Sequence, residues 1–389
     1  MPNQPALTSS NPLGSLDLLA VEGFTVFQRE EFRFGPGLNV IVGENGAGKS
    51  HLLKLAYCMA RSLYPAGRGS GLSGAAVDLG TTIAAKLGAV FLPDRLAHLL
   101  HNGKQVAGDG EAGNAGSGNA DTGCRVSLRF TSGDSLSFRF DSADDSSVHV
   151  TSQPALPDSG IGAPIYLPTR ELISAPPEFA SRFHLFGTLF DQTYLDLALA
   201  LTDPLPNRNG NGDDTRLARL VAPLEEAIGG KLVLRPDCGG RIFLRTVGGD
   251  REMTLLAEGQ RKLAMLACLI LNGSISRQGT VFWDEPETNL NPRLMVGLAQ
   301  VLARLAADGV QVIIATHSLF MMREIAIQRD RLGAGHRPSA RYVSLIATDE
   351  GVVMQDGEDI DDLRNIPALD AAIAQDEALE RMEWDDPDA

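Results

Sequence analysis

Leu38-Asn39-Val40-Ile41-Val42-Gly43-Glu44-Asn45-Gly46-Ala47-Gly48-Lys49-Ser50 runs from an apolar strand into a Gly-x-x-x-x-Gly-Lys-Ser loop. Glycines at both ends let the backbone curl so that successive amide N–H groups point inward at an anion. The helix that follows adds its positive N-terminal end. In that geometry Lys49 reaches the β- and γ-phosphates of a nucleoside triphosphate and Ser50 offers its hydroxyl to magnesium, with Asn45, Gly46, Ala47, Gly48 and His51 completing the cradle. A Gly-rich turn before a helix is the bland alternative, but the full pattern arises by chance in only about one or two percent of chains this long. The flank lowers that further, since His51 to Met59 continues as a helix with one apolar face.

With 389 residues, 43% of them hydrophobic, the chain can build one large domain with an insertion, or two domains. No apolar run reaches the roughly 18 residues needed to cross a bilayer, and the first residues lack the pattern of a secretory leader. A cytoplasmic protein with no membrane association is expected. Cys58, Cys124, Cys238 and Cys268 are far apart and show no Cys-x-x-Cys pair, so buried free thiols are expected rather than disulfides or zinc. Of the net charge of −15, the stretch from Asp356 to Ala389 carries −11, with 13 acidic and 2 basic residues, which leaves −4 on everything before it. A near-neutral body leaves room for a local basic groove, yet no run of Lys and Arg announces one, so nucleic-acid binding is possible but unsupported.

Outward from the loop, Leu16 to Phe27 and Phe32 to Phe34 read as strands that share a sheet with Leu38 to Val42. Ala66 to Gly80 and Ala107 to Gly123 have too little apolar content to fold alone and read as exposed loops. Cys124 to Phe130 and Ser135 to Phe140 alternate polar and apolar residues across a turn, the pattern of a hairpin. Ile165 to Leu167 is a short strand. Pro177 to Ile228 turns mostly helical, interrupted over 204–214. In it Phe183, Phe186, Phe190 and Tyr194 have the spacing of a helix core face. Lys231 to Leu234 with Arg241 to Arg245 form a second hairpin, and Leu255 to Leu271 a long helix with an apolar face. Thr280 to Trp283 and Val310 to Ala315 read as buried parallel strands. Four parts follow: 1–170, the first part of a nucleotide-binding lobe; 171–253, a helical insertion and hairpin; 254–355, the second part of the lobe; and 356–389, an acidic tail. Within the tail, Ala368 to Met382 reads as a helix.

The second half of the expected pocket is Val281-Phe282-Trp283-Asp284-Glu285-Pro286. Strand residues alternate in direction and the chain turns at Pro286, so Asp284 can face magnesium while Glu285 faces an attacking water. An acidic turn after a strand is ordinarily just solvated. The phosphate loop reverses that reading. Ala315-Thr316-His317-Ser318 ends the next apolar strand, which places His317 to bond a γ-phosphate and help hold the water.

Together Gly43 to Ser50, Leu256 to Gln260, Phe282 to Pro286, Asn289 to Pro292 and Ala315 to Ser318 resemble the Walker A, signature, Walker B, D-loop and H-loop motifs of ABC-type ATPases. Phe32 to Asn45 is similar to the F-x-F-x-P-G-L-N-V-I-V-G-E-N stretch of their RecF, SMC and OLD branch, and Asp284 to Leu290 to its DEPE-x-NL. The resemblance covers about residues 16–60 and 250–325. It implies an α/β fold, a P-loop NTPase of ABC-ATPase type with a mixed sheet, a flanking antiparallel β region and a helical lobe. It also implies ATP and Mg2+, catalytic roles for Lys49, Glu285 and His317, and metal binding by Ser50 and Asp284. Two copies are expected to meet head to tail as a homodimer or higher even oligomer, with Ala257, Glu258, Gly259 and Gln260, and the D-loop residues Asn289 and Asn291, acting in trans. Transporter subunits use Leu-Ser-Gly-Gly-Gln; here Ala257 stands for the serine and Glu258 for the first glycine, so one serine-to-phosphate hydrogen bond is absent. Thr169-Arg170-Glu171 is the candidate for the family's glutamine-bearing loop. The 72 residues after His317 are too few for the nuclease domain of OLD-type proteins, and the lack of heptads removes SMC arms. The expected output is therefore a separately encoded effector, a nuclease or toxin, in bacterial antiphage defence. The alternatives are a DNA-repair or DNA-remodelling ATPase and, more remotely, a transporter motor subunit.

Overall fold

In a computed structural model, the structure describes residues 13–64, 78–101, 123–157, 162–176, 178–185, 189–203, 212–235, 241–348 and 351–385. The central sheet has six strands. Leu38–Gly43 (β3), Ile165–Leu167 (β7), Thr280–Asp284 (β11), Gln311–Thr316 (β12) and Ala340–Thr348 (β13) run parallel, and Gly351–Gly357 (β14) pairs antiparallel to β13 at one edge. The order is β14-β13-β3-β12-β11-β7. These strands are near-continuous apolar runs because both faces are covered. Val40, Val42, Val281, Trp283, Val312 and Ile314 look to one core, and Ile41, Phe282, Ile313 and Ala315 to the other.

The first core is closed by helices Gly212–Ile228 (α4), Glu258–Leu271 (α5), Pro292–Ala307 (α6) and Leu319–Arg331 (α7). The second is closed by Lys49–Ser62 (α1) and Leu79–Phe91 (α2), and by an antiparallel sheet of Leu16–Phe24 (β1), Phe27–Arg33 (β2), Cys124–Phe130 (β4), Ser135–Phe140 (β5) and His149–Ser152 (β6), ordered β2-β1-β4-β5-β6. Here the sequence-based reading needs correction: β1 and β2 do not share a sheet with β3. They form a hairpin whose turn at Thr25 and Val26 keeps Phe24 opposite Phe27, both buried, with Thr25 in a left-handed conformation. Besides the apolar core they share, the two sheets are tied by one buried polar side chain. The amide of Gln311 on β12 donates to the carbonyls of Leu16 and Gly35, both at 2.8 Å, and accepts from Leu16 N–H at 2.9 Å and from the Thr280 hydroxyl at 3.1 Å.

The expected helical stretch after residue 177 is also different. Helix Gln192–Leu201 (α3) begins only after a run of turns, so Phe179, Phe183, Phe190 and Tyr194 gather as an edge-packed aromatic cluster off irregular backbone rather than along one helix. Phe186 lies outside the described residues. Lys54 to Asp191 at 2.7 Å, an ion pair of Lys86 with Asp196, and Tyr57 Oη to Asp196 at 2.5 Å bolt α3 to α1 and α2. Helix α4 packs instead on α5 and α6.

Beyond these, the three strands Lys231–Arg235 (β8), Arg241–Thr246 (β9) and Gly249–Glu252 (β10) make a small meander. Past β14, Leu363 and Ile366 are buried and the Ser344 hydroxyl bonds Asn365 O at 2.7 Å, so the acidic stretch is packed down to that point. Helix Pro367–Asp385 (α8) then runs exposed. Cys58, Cys124 and Cys268 are buried free thiols, and Cys238 lies outside the described residues. Among the described residues no helix is long and apolar enough to cross a membrane.

Candidate functional site

The apolar strand β3 delivers the loop Gly43 to Gly48 directly into α1. Gly48 sits at φ +90°, and a Cβ there would lie 2.5 Å from Val26 Cγ2 and 2.8 Å from Phe27 Cζ, so only glycine lets the loop tuck under the β1–β2 turn. Helices α2, α3, α6 and α7 each have an N-cap side chain, from Asp78, Asp191, Asn291 and Ser318. Helix α1 has none, and no acidic residue in its first turn. Its first amide N–H groups are thus left to an external anion. Lys49 is 6% exposed and folds back over the loop, donating to Gly43 O at 2.8 Å and Glu44 O at 2.9 Å. Burial pulls its pKa below the usual lysine range, while the carboxylates of Glu285, Asp284, Glu287 and Glu44 push it back up.

Strand β11 lies beside β12 with Asp284 opposite Ala315. Alternation turns Phe282 and Asp284 toward α1. There Asp284 is 8% exposed. Burial raises its pKa, and hydrogen bonds from the Ser50 and Tyr166 hydroxyls lower it again. Its Oδ1 is buried without a hydrogen-bond partner. An orphaned carboxylate oxygen next to a serine hydroxyl fits magnesium, which takes one or two protein oxygens and completes its shell from water and phosphate. Among the described residues no cage of three or more metal-ligating side chains forms, in keeping with that mode.

Glu285 follows at φ +47°, a costly conformation for a non-glycine residue. Its N–H donates to Ala315 O at 2.9 Å, and its Oε1 lies 3.1 Å from His317 Nδ1, at the end of β12. The structure therefore brings Lys49, Ser50, Asp284, Glu285 and His317 to the C-terminal ends of three adjacent parallel strands. His51 points away from solvent onto Phe91, and burial lowers its pKa.

Two buried charges join this group without having been assigned a role from sequence. Glu287, 5% exposed, accepts from the Thr316 hydroxyl at 2.6 Å and from His317 N–H at 3.2 Å, and its Oε2 is unpartnered. The Asp-Glu-Pro-Glu run was its signal. Lys262 on α5, 1% exposed, donates to the carbonyls of Glu285 and Thr288, each at 3.1 Å. Its signal was a lysine inside an apolar helix.

Ala257, Glu258, Gly259 and Gln260 form the start of α5. Ala257 offers no side-chain cap, and Gln260 accepts from Ala257 N–H at 3.3 Å while donating to Ile228 O at 3.2 Å. A Cβ on Gly259 would come within 2.7 Å of Asn289 O, so this glycine seats α5 against the turn at Asn289, itself at φ +63°. Asn291 caps α6 through Leu294 N–H at 3.0 Å. Arg170 is exposed, and Glu171 is tied to Arg261 at 2.6 Å and to Ser174, which binds the loop after β7 to α5.

Residues 132–323 match the family model described as "AAA domain, putative AbiEii toxin, Type IV TA system", and residues 19–86 match one described as "AAA domain". The first match spans Asp284, Glu285 and His317, and the second spans the phosphate loop. No curated protein matches the chain. Among solved structures, the SmcHead bound to the C-winged helix domain of ScpA has a TM-score of 0.51 at 16% identity, covering 89% of this chain and 98% of that one, which shows a common fold. The SMC head domain from Thermotoga maritima, 15% identical, has a TM-score of 0.48 over 89% of this chain and 100% of its own. The Smc head domain bound to the C-terminal domain of ScpA derived from Pyrococcus furiosus, 13% identical, has a TM-score of 0.48 over 94% and 99%.

Proposed function

We propose that this chain, an ABC-type ATPase of the RecF, SMC and OLD branch, hydrolyses ATP between two copies of itself and uses the cycle to gate a separately encoded effector. The observation that carries the hydrolytic part is the contact of Glu285 with His317 at 3.1 Å, on the same sheet edge as Asp284 and the Ser50 hydroxyl. Lys49 and the loop amides grip the β- and γ-phosphates. Ser50 and Asp284 would hold Mg2+, which supplies charge neutralisation at the phosphates. Glu285 accepts a proton from the attacking water, and His317 orients that carboxylate and bonds the γ-phosphate.

The paired arrangement is supported by α5. Like α1 it starts without a side-chain cap, so its first amides are available to a phosphate from another copy, with Ala257, Glu258, Gly259 and Gln260 facing it and Asn289 and Asn291 alongside. Leu255, 78% exposed, adds apolar surface just before it. The description of the matched AAA domain names a toxin and a Type IV TA system, which supports a toxin-linked output; the nuclease alternative and the role in bacterial defence are part of the proposal. Glu285→Gln is the test. It should keep ATP binding, accumulate as the ATP-bound pair in a sizing measurement, and lose about 10²–10⁴-fold in turnover. Hydrolysis at the parental rate removes Glu285 as the base; a single copy at saturating ATP removes the pairing.

A second reading, direct action on nucleic acid, is favoured by one feature. Outward positions of the antiparallel sheet carry Arg29, Arg33, Arg125, Arg129 and Arg139, against Glu22 and Glu31, and of these Arg29, Arg125 and Arg139, with both glutamates, line a cavity of about 390 Å³ over Ala20, Ser127 and Ser137. Arg125 and Arg139 stand directly opposite each other across β4 and β5, a like-charge pair that Glu22 offsets at Arg125, at 3.3 Å, and that a polyanion would offset further. On this reading, binding to DNA weakens steeply with salt, and Arg125→Glu with Arg139→Glu abolishes it. Salt-insensitive binding, or none, leaves the effector reading alone.

A further inference from the structure

Lys262 is among the most enclosed charged groups in the described chain, 1% exposed on the inner side of α5. It sits one turn past Gly259. Burying an ammonium costs several kcal/mol unless its protons are satisfied. Here two of them are, by Glu285 O and Thr288 O, each at 3.1 Å. Those carbonyls bracket the turn that begins with Glu285 at φ +47°, which a non-glycine residue keeps only when its surroundings over-determine it. The same turn is also held by Glu287, through the Thr316 hydroxyl at 2.6 Å and His317 N–H at 3.2 Å.

We propose that Lys262 is the positioning residue that locks Glu285 in its catalytic conformation and ties that conformation to the start of α5. This rests on Glu285 being the base. The consequence is mechanical. Gly259 packs against Asn289 O and Lys262 grips the turn just before it, so the segment from Glu285 to Asn289 follows α5 as one body. Whatever moves the half-buried first turn of α5, a phosphate of a second copy above all, is felt at Glu285 without touching it. Neither contact reaches the phosphate loop, so nucleotide affinity does not depend on Lys262.

The groups facing the ammonium are Glu287, Glu258, Glu285 and Asp284, and burial outweighs them, pushing its pKa down to about 8. It is therefore charged at neutral pH and discharges in the mildly alkaline range.

The test is steady-state ATP hydrolysis together with nucleotide titration on the full chain carrying Lys262→Met or Lys262→Gln, with Glu285→Gln as reference. Lys262→Met is expected to lower kcat about 10- to 100-fold, the loss that about 1 Å of misplacement brings, with KM and ATP affinity within about threefold. Lys262→Gln retains an N–H donor and should recover part of that loss. It also decides the matter should the methionine variant not fold. Lys262→Arg, which does not discharge, should carry the alkaline decline of kcat above the wild-type position near pH 8. Wild-type kcat in both neutral variants, or a loss that falls on KM, overturns the proposal. Parental hydrolysis by Glu285→Gln would instead overturn the underlying reading of the base, so the two failures are separable.

Discussion

Lys49 is held by carbonyls six and five residues before it, whereas Glu285 is held by Lys262 and His317, 23 and 32 residues away. The phosphate loop is a local object: one strand, one loop and one uncapped helix, contiguous in the chain. The turn at Glu285 is an assembled object, built where β11, β12 and α5 converge. A pocket that grips can be made from neighbours in sequence, but one that both grips and times its chemistry needs parts that move independently of the grip. The contrast teaches that affinity and turnover should be separable in this protein.

The larger of two further effects tests the local half. Lys49→Met removes a charged donor to phosphate, worth about 1.5–3 kcal/mol, and should weaken ATP binding by about 10- to 150-fold in a fluorescence titration. An affinity unchanged within about threefold would break the comparison, because the grip would then not reside in the loop. A smaller effect tests the assembled half. Glu287→Ala strips the Thr316 hydroxyl and His317 N–H of their acceptor, groups that each cost about 1–3 kcal/mol when left unsatisfied. Part of that cost is expected as lowered melting temperature and part as roughly tenfold lower kcat, with ATP affinity untouched. Loss of binding instead would merge the two halves into one.

The local half was legible because its chemistry is backbone chemistry. Gly43 to Ser50 specifies loop, cradle and helix start at once, and the apolar runs at Leu38 to Val42, Thr280 to Trp283 and Val310 to Ala315 identify buried parallel strands wherever they pair. Alternation along β11 likewise set Asp284 toward Ser50. Three features were not legible. The β1–β2 hairpin read as part of the sheet of β3 because periodicity tells which face is buried but not against which partner; Gln311, nearly 300 residues from Leu16, makes that choice. The aromatic residues from Phe179 to Tyr194 have helical spacing, yet Phe179, Phe183 and Phe190 come off turns and a short 3-10 segment to cluster against Tyr194 on α3, since tertiary packing outweighs propensity. The arginines on β2, β4 and β5 escaped notice because they stand four apart or singly on separate strands, and only strand pairing gathers them into one face.

By itself, the sequence determined that this chain carries a phosphate-binding loop and presents an Asp-Glu pair at a strand end, because both depend on backbone geometry over roughly ten consecutive residues. Only the tertiary structure decided that Glu285 sits in a left-handed conformation, that Glu287 and Lys262 both hold its turn, and that Gly259 fastens this turn to α5. The reason lies in burial. A charge in a sequence reads as solvated surface, and becomes a clamp only when folding removes water from around it and leaves distant carbonyls and carboxylates as its sole partners.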